Sequence, residues 1–221
     1  MRAIEAVIFD YGGVLSTTPF VGLAEFEARM GYPDKALARL LFGRGASAQG
    51  PTESIPDHDW HLLETGRLTL DEFHDRLVAR SEDALGQRLD LGVYSQFLKE
   101  LGVGVHWMMV HRVRELRAEG YRTAILTNNI KEWGPFWKGS IPIDLFDLVV
   151  DSCEVGLRKP DPAIFQLTCE RLGVAPEAAV FLDDTRIHVE AARKVGLHAV
   201  LVADPLEALS ELDALLEAAA A

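Results

Sequence analysis

Five short apolar runs recur along the chain, and each is followed by polar or glycine-containing turn residues. In order they are "VIFDYGGVL", "RTAILTNN", "FDLVVDS", "AVFLDDT" and "LHAVLVAD". Segments with helical periodicity lie between the later runs, and one of them starts at Pro162, behind a potential N-cap at Asp161. Strands that alternate with helices predict a three-layer α/β fold, in which helices cover both faces of a mostly parallel sheet.

The region from about Ser16 to His106 interrupts this alternation. It is much longer than an ordinary strand–helix connection of about 2–6 residues, which indicates a structured insertion. Its helical segments include "LAEFEARM", "ALARLLFG" and "LTLDEFHDRLVARSEDALG", and Thr69 with Glu72 forms a potential capping box near the start of the third. We therefore predict a helical cap, residues 16–106, over the carboxyl ends of the strands, and a core made of residues 1–15 and 107–221.

The composition fits this organisation and narrows the possible functions. The chain has 221 residues, of which 48% are hydrophobic, enough for a sizeable core. No apolar stretch reaches the roughly 20 residues of a membrane span, and the first residues do not resemble a signal peptide, so we expect a cytoplasmic protein. The net charge of −12 argues against nucleic-acid binding and favours a small substrate. Cys153 and Cys169 are expected to be free thiols.

Polar residues follow the predicted strands at the points where chemistry usually occurs in α/β folds. In chain order they are Asp10, Thr127, Asn128, Asn129, Lys159, Asp183 and Asp184. These residue types suit phosphoryl transfer, because a carboxylate can attack phosphorus while a hydroxyl, backbone N–H groups and a lysine hold the phosphoryl oxygens. The acidic pair would repel both the nucleophile and a dianionic substrate, so a divalent cation is needed, and oxygen ligands favour Mg²⁺.

Four of these segments together resemble the motifs of the haloacid dehalogenase superfamily. "VIFDYGGVL" is similar to its nucleophile motif, "AILTNN" to its second motif, "GLRKPDP" to its lysine motif and "VFLDDT" to its acidic metal motif, all in family order. The insertion after the first motif resembles the C1-type cap. "WHLLETGRLTLDEF" and "RKPDPAIFQLTCERLGV" further resemble the branch that contains sugar-phosphate phosphatases and the phosphatase domain of epoxide hydrolases. The resemblance implies a Rossmann-like core.

The same resemblance implies a role for each candidate residue. Asp10 would be the nucleophile that forms an aspartyl-phosphate, Thr127 and Lys159 would hold the phosphoryl group, and Asn128 would lie beside it. The metal ligands would be Asp10, the backbone carbonyl of Gly12, Asp183 and Asp184. We therefore expect a Mg²⁺-dependent phosphatase that acts on a small phosphorylated metabolite.

Two positions depart from the family pattern. Gly12 stands where most phosphatases of the superfamily have a second aspartate, the general acid that protonates the leaving group, and His188 stands where an asparagine is usual. The missing acid leaves two alternatives open. One is a metal-independent dehalogenase, against which the acidic pair argues. The other is a weakly active or non-catalytic binding protein on the same fold.

The cap also contains His58, His61 and His74, two of them at helical spacing. Without cysteines or a defined ligand spacing we interpret them as surface or cap-lining residues rather than metal ligands.

Overall fold

A five-stranded parallel sheet forms the centre of the protein. The computed structural model describes residues 3–18, 20, 22–43, 58–102 and 104–220. The strands are β1 (Ala6–Phe9), β2 (Arg122–Thr127), β3 (Leu148–Asp151), β4 (Ala179–Asp183) and β5 (His198–Leu201). Their order in the sheet is β3-β2-β1-β4-β5, and every neighbouring pair is parallel. Four strands lie within the apolar runs, and β1 begins one residue before the first run.

Helices cover both faces of the sheet. Successive side chains of a strand point to opposite faces, so each strand contributes to the packing on both sides. The helices outside the insertion are α6 (Trp107–Ala118), α7 (Gly134–Lys138), α8 (Ser152–Val155), α9 (Pro162–Leu172), α10 (Arg186–Val195) and α11 (Pro205–Ala220). Val7 and Phe9 pack with residues of α6 and α11 on one face, whereas Ala6 and Ile8 pack with α9 and α10 on the other. The predicted three-layer α/β fold is confirmed, and Asp161 caps α9, accepting a hydrogen bond from Ala163 N.

The insertion is helical in the part that the structure describes. Its helices are α1 (Leu23–Met30), α2 (Ala36–Phe42), α3 (Asp59–Glu64), α4 (Leu70–Leu85) and α5 (Leu91–Leu101). The predicted capping box begins α4: Thr69 Oγ1 accepts from Glu72 N, and a Glu72 carboxylate oxygen accepts from Thr69 N. These helices share an apolar cluster of their own, which Ile130 of the core joins. No helix in these ranges combines the length and hydropathy needed to cross a membrane.

The chain enters and leaves the insertion at one point. Thr17 N donates to Gly104 O at 2.9 Å, and His106 N donates to Leu15 O at 2.9 Å. Ser16 and Val105 form an isolated antiparallel bridge between these two hydrogen bonds. The two crossings therefore lie side by side, immediately after the turn that follows β1.

Candidate active site

Asp10 lies at the carboxyl end of the central strand. Its backbone N–H donates to Leu182 O at 2.9 Å, which continues the pairing of β1 with β4 by one residue. Its Oδ1 atom accepts a 2.7 Å hydrogen bond from Tyr11 N. Only 7% of Asp10 is exposed. The sheet thus fixes the carboxylate in a nearly closed pocket.

Lys159 joins Asp10 to the acidic end of β4. Its Nζ atom lies 2.9 Å from Asp10 Oδ1 and 2.5 Å from Asp183 Oδ2. Lys159 and Asp183 are both completely buried. Because a buried charge is costly without a partner, the lysine favours the ionised form of each carboxylate, and the two carboxylates favour the charged lysine.

Asp184 completes a group of three carboxylates. One oxygen each from Asp10, Asp183 and Asp184 lies within 4.8 Å of the others, and among the described residues no other three histidines, cysteines or acids come together in this way. Thr185 orients the pair, since its N–H donates to Asp183 at 2.7 Å and its hydroxyl donates to Asp184 at 3.2 Å. Clustered carboxylate oxygens are the donors that Mg²⁺ prefers, so this set fits a magnesium ion.

Burial and mutual repulsion disfavour the ionised form of two of these acids. Burial, with the charges of Asp183 and Asp184 adding to it, raises the pKa of Asp10 to about 8 against the opposing effect of Lys159. Burial and the charge of Asp183 raise the pKa of Asp184 to about 7. For Asp183 itself, the contacts with His188 and Lys159 outweigh burial and lower the pKa. A cation between these oxygens would favour the ionised forms of all three.

His188 contacts the same acid. Its Nδ1 atom lies 3.1 Å from both carboxylate oxygens of Asp183. Burial lowers the pKa of the ring, so at neutral pH a neutral imidazole with Nδ1–H donates to Asp183. Nε2 is buried and has no hydrogen-bond partner in the described part of the chain. The imidazole thus supplies a hydrogen bond to the acidic pair from the position where an amide was expected.

Asn128 ties the loop after β2 to the lysine loop. Its Nδ2 donates to Lys159 O at 2.9 Å, and its Oδ1 accepts from Lys159 N at 2.8 Å. Thr127, the last residue of β2, is buried beside the strand that carries Asp10. The hydrogen bonds of the described residues do not link Thr127 to the acids, so its role in holding phosphate stays a prediction.

Gly12 and Gly13 differ in backbone conformation and in the space available for a side chain. Gly12 does not have a positive φ, and a Cβ built on it meets nothing within 4 Å. Gly13 has φ +85°, and a Cβ there would lie 2.1 Å from Asp184 Oδ2. The Gly-Gly pair is visible in the sequence, but nothing in the sequence indicates the contact between Gly13 and Asp184. The metal contact expected of the Gly12 carbonyl stays a prediction.

Two histidines of the insertion, His58 and His61, lie against neighbouring residues of the insertion. His58 Nδ1 accepts a 3.2 Å hydrogen bond from Trp60 N and so caps α3. The rings of His58 and His61 are 5.7 Å apart, as expected for neighbours on one helix face. Trp60 packs edge-to-face against Phe42 and Phe73 within the apolar cluster of the insertion. His58 was expected at the surface or lining the cap and is half-buried, whereas His61 is buried rather than at the surface.

The fold and the site together define an α/β enzyme whose carboxylate cluster sits at the carboxyl ends of central parallel strands. A sequence model of the haloacid dehalogenase-like hydrolases matches residues 4–196. The chain therefore belongs to the haloacid dehalogenase-like hydrolase family, as its motifs predicted.

The relatives of the chain have several different activities in their names. Acyl-CoA dehydrogenase family member 10 of Mus musculus is 32% identical over 97% of this chain, and bifunctional epoxide hydrolase 2 of Sus scrofa is 29% identical over 96%. The chain spans only 19% and 38% of the lengths of these two proteins. Phosphatase MT3486 of Mycobacterium tuberculosis is 29% identical, with 90% of this chain and 88% of that protein covered. (S)-2-haloacid dehalogenase 1 of Pseudomonas sp. is 27% identical, with 91% and 86% covered.

Solved structures show the same fold. A haloacid dehalogenase family enzyme of Bacteroides thetaiotaomicron, solved in complex with magnesium and inorganic phosphate, superimposes with a TM-score of 0.60 at 18% identity. The match covers 90% of this chain and 94% of that chain. The predicted Rossmann-like fold is confirmed.

Proposed function

We propose that the protein is a Mg²⁺-dependent phosphomonoesterase that acts on a small phosphorylated metabolite through an aspartyl-phosphate. The observation that carries this proposal is the convergence of Asp10, Asp183 and Asp184 within 4.8 Å. Three carboxylates face one lysine, so the site has an excess of negative charge whenever all three acids are ionised, even before a substrate arrives. A dianionic phosphate ester would enter such a site only with a divalent cation, whereas a 2-haloacid carries a single negative charge and needs less neutralisation.

In this proposal the cation is held by Asp10, Asp183, Asp184 and the carbonyl of Gly12. When bound, it neutralises charge on the phosphoryl oxygens and on the nucleophile. Asp183 has the firmest support from the protein, because Thr185, His188 and Lys159 all donate hydrogen bonds to it.

The reaction proposed for Asp10 has two steps. Within the described residues, the hydrogen bonds to Asp10 reach Oδ1, which leaves Oδ2 for attack on phosphorus. The new Oδ2–P bond forms as the P–O bond to the alcohol breaks, and Lys159 and Thr127 hold the other phosphoryl oxygens. Water then attacks phosphorus, which releases inorganic phosphate and restores the carboxylate.

Protonation of the leaving group distinguishes this site from that of a phosphatase with two motif aspartates. With glycine at position 12 the chain offers no carboxyl group there, so the departing oxygen takes its proton from water. Esters whose alcohols are already acidic need that proton least.

We further propose that residues 16–106 act as a cap that selects the substrate. The insertion has its own apolar cluster, and its two covalent connections to the core lie side by side at Thr17 and Gly104. A segment connected in this way can present its own side chains to the pocket that holds Asp10 while the strand ends keep their places.

The test is a screen of metabolite phosphates that measures released phosphate with Mg²⁺ and with EDTA. We expect activity that EDTA removes and that Asp10→Asn abolishes, because an amide cannot form the aspartyl-phosphate. Beryllium fluoride with Mg²⁺ should raise the melting temperature of the wild type but not of Asp10→Asn. Halide release from 2-haloacids in EDTA would instead identify a dehalogenase, and absence of both activities and of the fluoride effect would identify a binding protein.

A further inference from the structure

Glu64, the last residue of α3 in the insertion, contacts the core through both its side chain and its backbone. Its Oε2 atom accepts a 2.7 Å hydrogen bond from Arg158 Nε. Its carbonyl oxygen accepts a 2.6 Å hydrogen bond from Ser152 Oγ. Glu64 is 5% exposed, and Arg158 is also buried. This residue is therefore a buried junction between the insertion and the core.

Each of these contacts leads to one of the two loops proposed to hold phosphate. Arg158 directly precedes Lys159. Ser152 Oγ accepts a 2.9 Å hydrogen bond from Asn129 N, and Asn129 directly follows Asn128. One residue of the insertion thus fixes the lysine loop through its side chain and the loop after β2 through its carbonyl.

The turn after α3 lies close against the core at the same place. A Cβ on Gly66 would lie 2.9 Å from the carbonyl oxygen of Cys153, and Gly66 has φ +68°. The contact leaves no room for a side chain, so the position of the turn relative to α8 is tightly defined. Glu64 reaches the two loops from this fixed base.

A buried ion pair of this kind is poorly explained by stability alone. Desolvation of two charges offsets most of their attraction, and apolar residues of similar volume are often as stabilising. The directional Nε–Oε2 bond does, however, set where the residue before Lys159 lies, and a displacement of about 1 Å in a catalytic group is enough to lower a rate by about 100-fold.

We infer that Glu64 is a positioning residue, by which docking of the insertion aligns the Asn128 and Lys159 loops for catalysis. The inference rests on the proposed phosphatase function. It makes the insertion part of the catalytic arrangement as well as a cover for the substrate.

The chain provides a matched control in Glu27. It is also a 5% exposed glutamate of the insertion, but its oxygens accept hydrogen bonds from Lys35 N, Leu37 N and Ala38 N, within the insertion itself. Glu64→Gln and Glu27→Gln each remove one buried carboxylate charge. Only the first change weakens a contact with the core.

The first measurement is steady-state hydrolysis of p-nitrophenyl phosphate with Mg²⁺, together with inhibition by orthovanadate. We expect Glu64→Gln to lower kcat about 10-fold or more and to raise the Ki of vanadate, whereas Glu27→Gln changes only the melting temperature. A loss of folded protein alone lowers kcat but leaves Ki unchanged. Arg158→Gln should reproduce Glu64→Gln, and the double variant should be no worse than either, since the two side chains act as one unit.

The second measurement is amide hydrogen exchange, which needs no turnover. Lys159 N–H donates to Asn128 Oδ1 and Asn129 N–H donates to Ser152 Oγ, so both report on the loops. We expect faster exchange at Lys159 in Glu64→Gln and at Asn129 in Ser152→Ala, with both amides unchanged in Glu27→Gln. Equal exchange and equal Ki in Glu64→Gln and Glu27→Gln would overturn the inference. A wild type that releases no phosphate would overturn the proposed function instead, and exchange alone would then decide whether Glu64 orders the loops.

Discussion

Gly13 and Asp184 are in such close contact that no side chain fits between them. A Cβ on Gly13 would lie 2.1 Å from Asp184 Oδ2 and 3.0 Å from Asp184 Cβ. Gly13→Ala must therefore push the Asp184 carboxylate away, and its φ of +85° adds strain of about 1–2 kcal/mol for any residue with a Cβ. We expect Mg²⁺ affinity, measured by calorimetry, to fall at least 10-fold and phosphate release to fall with it.

Gly12→Ala is the matched control for that change. Position 12 has open space and no positive φ, so the methyl group should alter neither folding nor Mg²⁺ affinity appreciably. Equal Mg²⁺ affinities of Gly12→Ala and Gly13→Ala would show that the Asp184 carboxylate does not hold the metal from its place beside Gly13.

Gly12→Asp tests the missing general acid. A general acid contributes about 10²–10⁴-fold when the leaving alkoxide is poor and much less when it is stable. We expect the wild type to hydrolyse aryl, acyl or sugar 1-phosphates far faster than primary alkyl phosphates, and Gly12→Asp to narrow this gap. The measurement is kcat/KM across esters of graded leaving-group pKa. A flat dependence in the wild type would mean that another group already supplies the proton.

Asp10 should make the metal-free protein less stable as pH rises. Its pKa is about 8 in the folded state against an ordinary 3.8, so between these values the folded protein holds a proton that the unfolded chain has lost. The free energy of unfolding then decreases with rising pH, by at most about 1.4 kcal/mol per unit for one proton, until about pH 8. The raised pKa of Asp184 likewise makes the free energy of unfolding decrease with rising pH, up to about pH 7.

The measurement is urea unfolding in EDTA between pH 6.5 and 8. The lowered pKa of His188 acts in the opposite direction, because the unfolded chain then binds the proton, and this contribution fades above the ordinary histidine pKa of 6.5. Asp10→Asn should reduce the slope, and Mg²⁺ should stabilise the wild type more at pH 8 than at pH 6.5, since protons and the cation compete for the same oxygens. Stability that rises with pH across this range would contradict the assignment.

Lys159→Met removes the cation that Asp10 and Asp183 share. Loss of one partner from a buried ion pair typically costs about 3–5 kcal/mol, so we expect a large drop in melting temperature without metal and partial recovery with Mg²⁺. Lys138→Met is the control, because Lys138 pairs with Glu154 at the surface and such pairs contribute about 0–1 kcal/mol. Equal melting temperatures for the two variants would show that the buried bridge is absent in solution.

The fold was largely predictable because burial dictates sequence pattern. A strand covered on both faces has apolar residues at every position, as in "AVIF" of β1, and a turn residue must follow where the strand ends. Local hydrogen bonds were predictable for the same reason. The capping box of Thr69 and Glu72 and the cap at Asp161 each join residues two or three positions apart.

The site was predictable in its membership but not in its contacts. Parallel strands bring their carboxyl ends to one edge, which is why Asp10 and Asp183 were expected to converge. The bidentate bridge of Asn128 to the Lys159 backbone, and the junction at Glu64, join residues 31 and 94 positions apart. The pattern of hydrophobic and polar residues carries no information about such pairs, because they depend on how the insertion and the loops are placed in space. His188 was noticed as a departure, yet its contact with Asp183 required the helix α10 to be in position.

The adjacency of Thr17 and Gly104 has a consequence for how proteins of this design diversify. Since their hydrogen bond closes the insertion at its base, a replacement segment has two geometric conditions to meet. Its two ends must lie about 5 Å apart, the spacing of neighbouring strands, and it must present a carboxylate to Arg158 as Glu64 does. Segment length and topology away from these two points are then free to vary while the strand ends keep their spacing, so a graft between Thr17 and Gly104 that retains the Glu64 junction is the natural unit for engineering a new specificity.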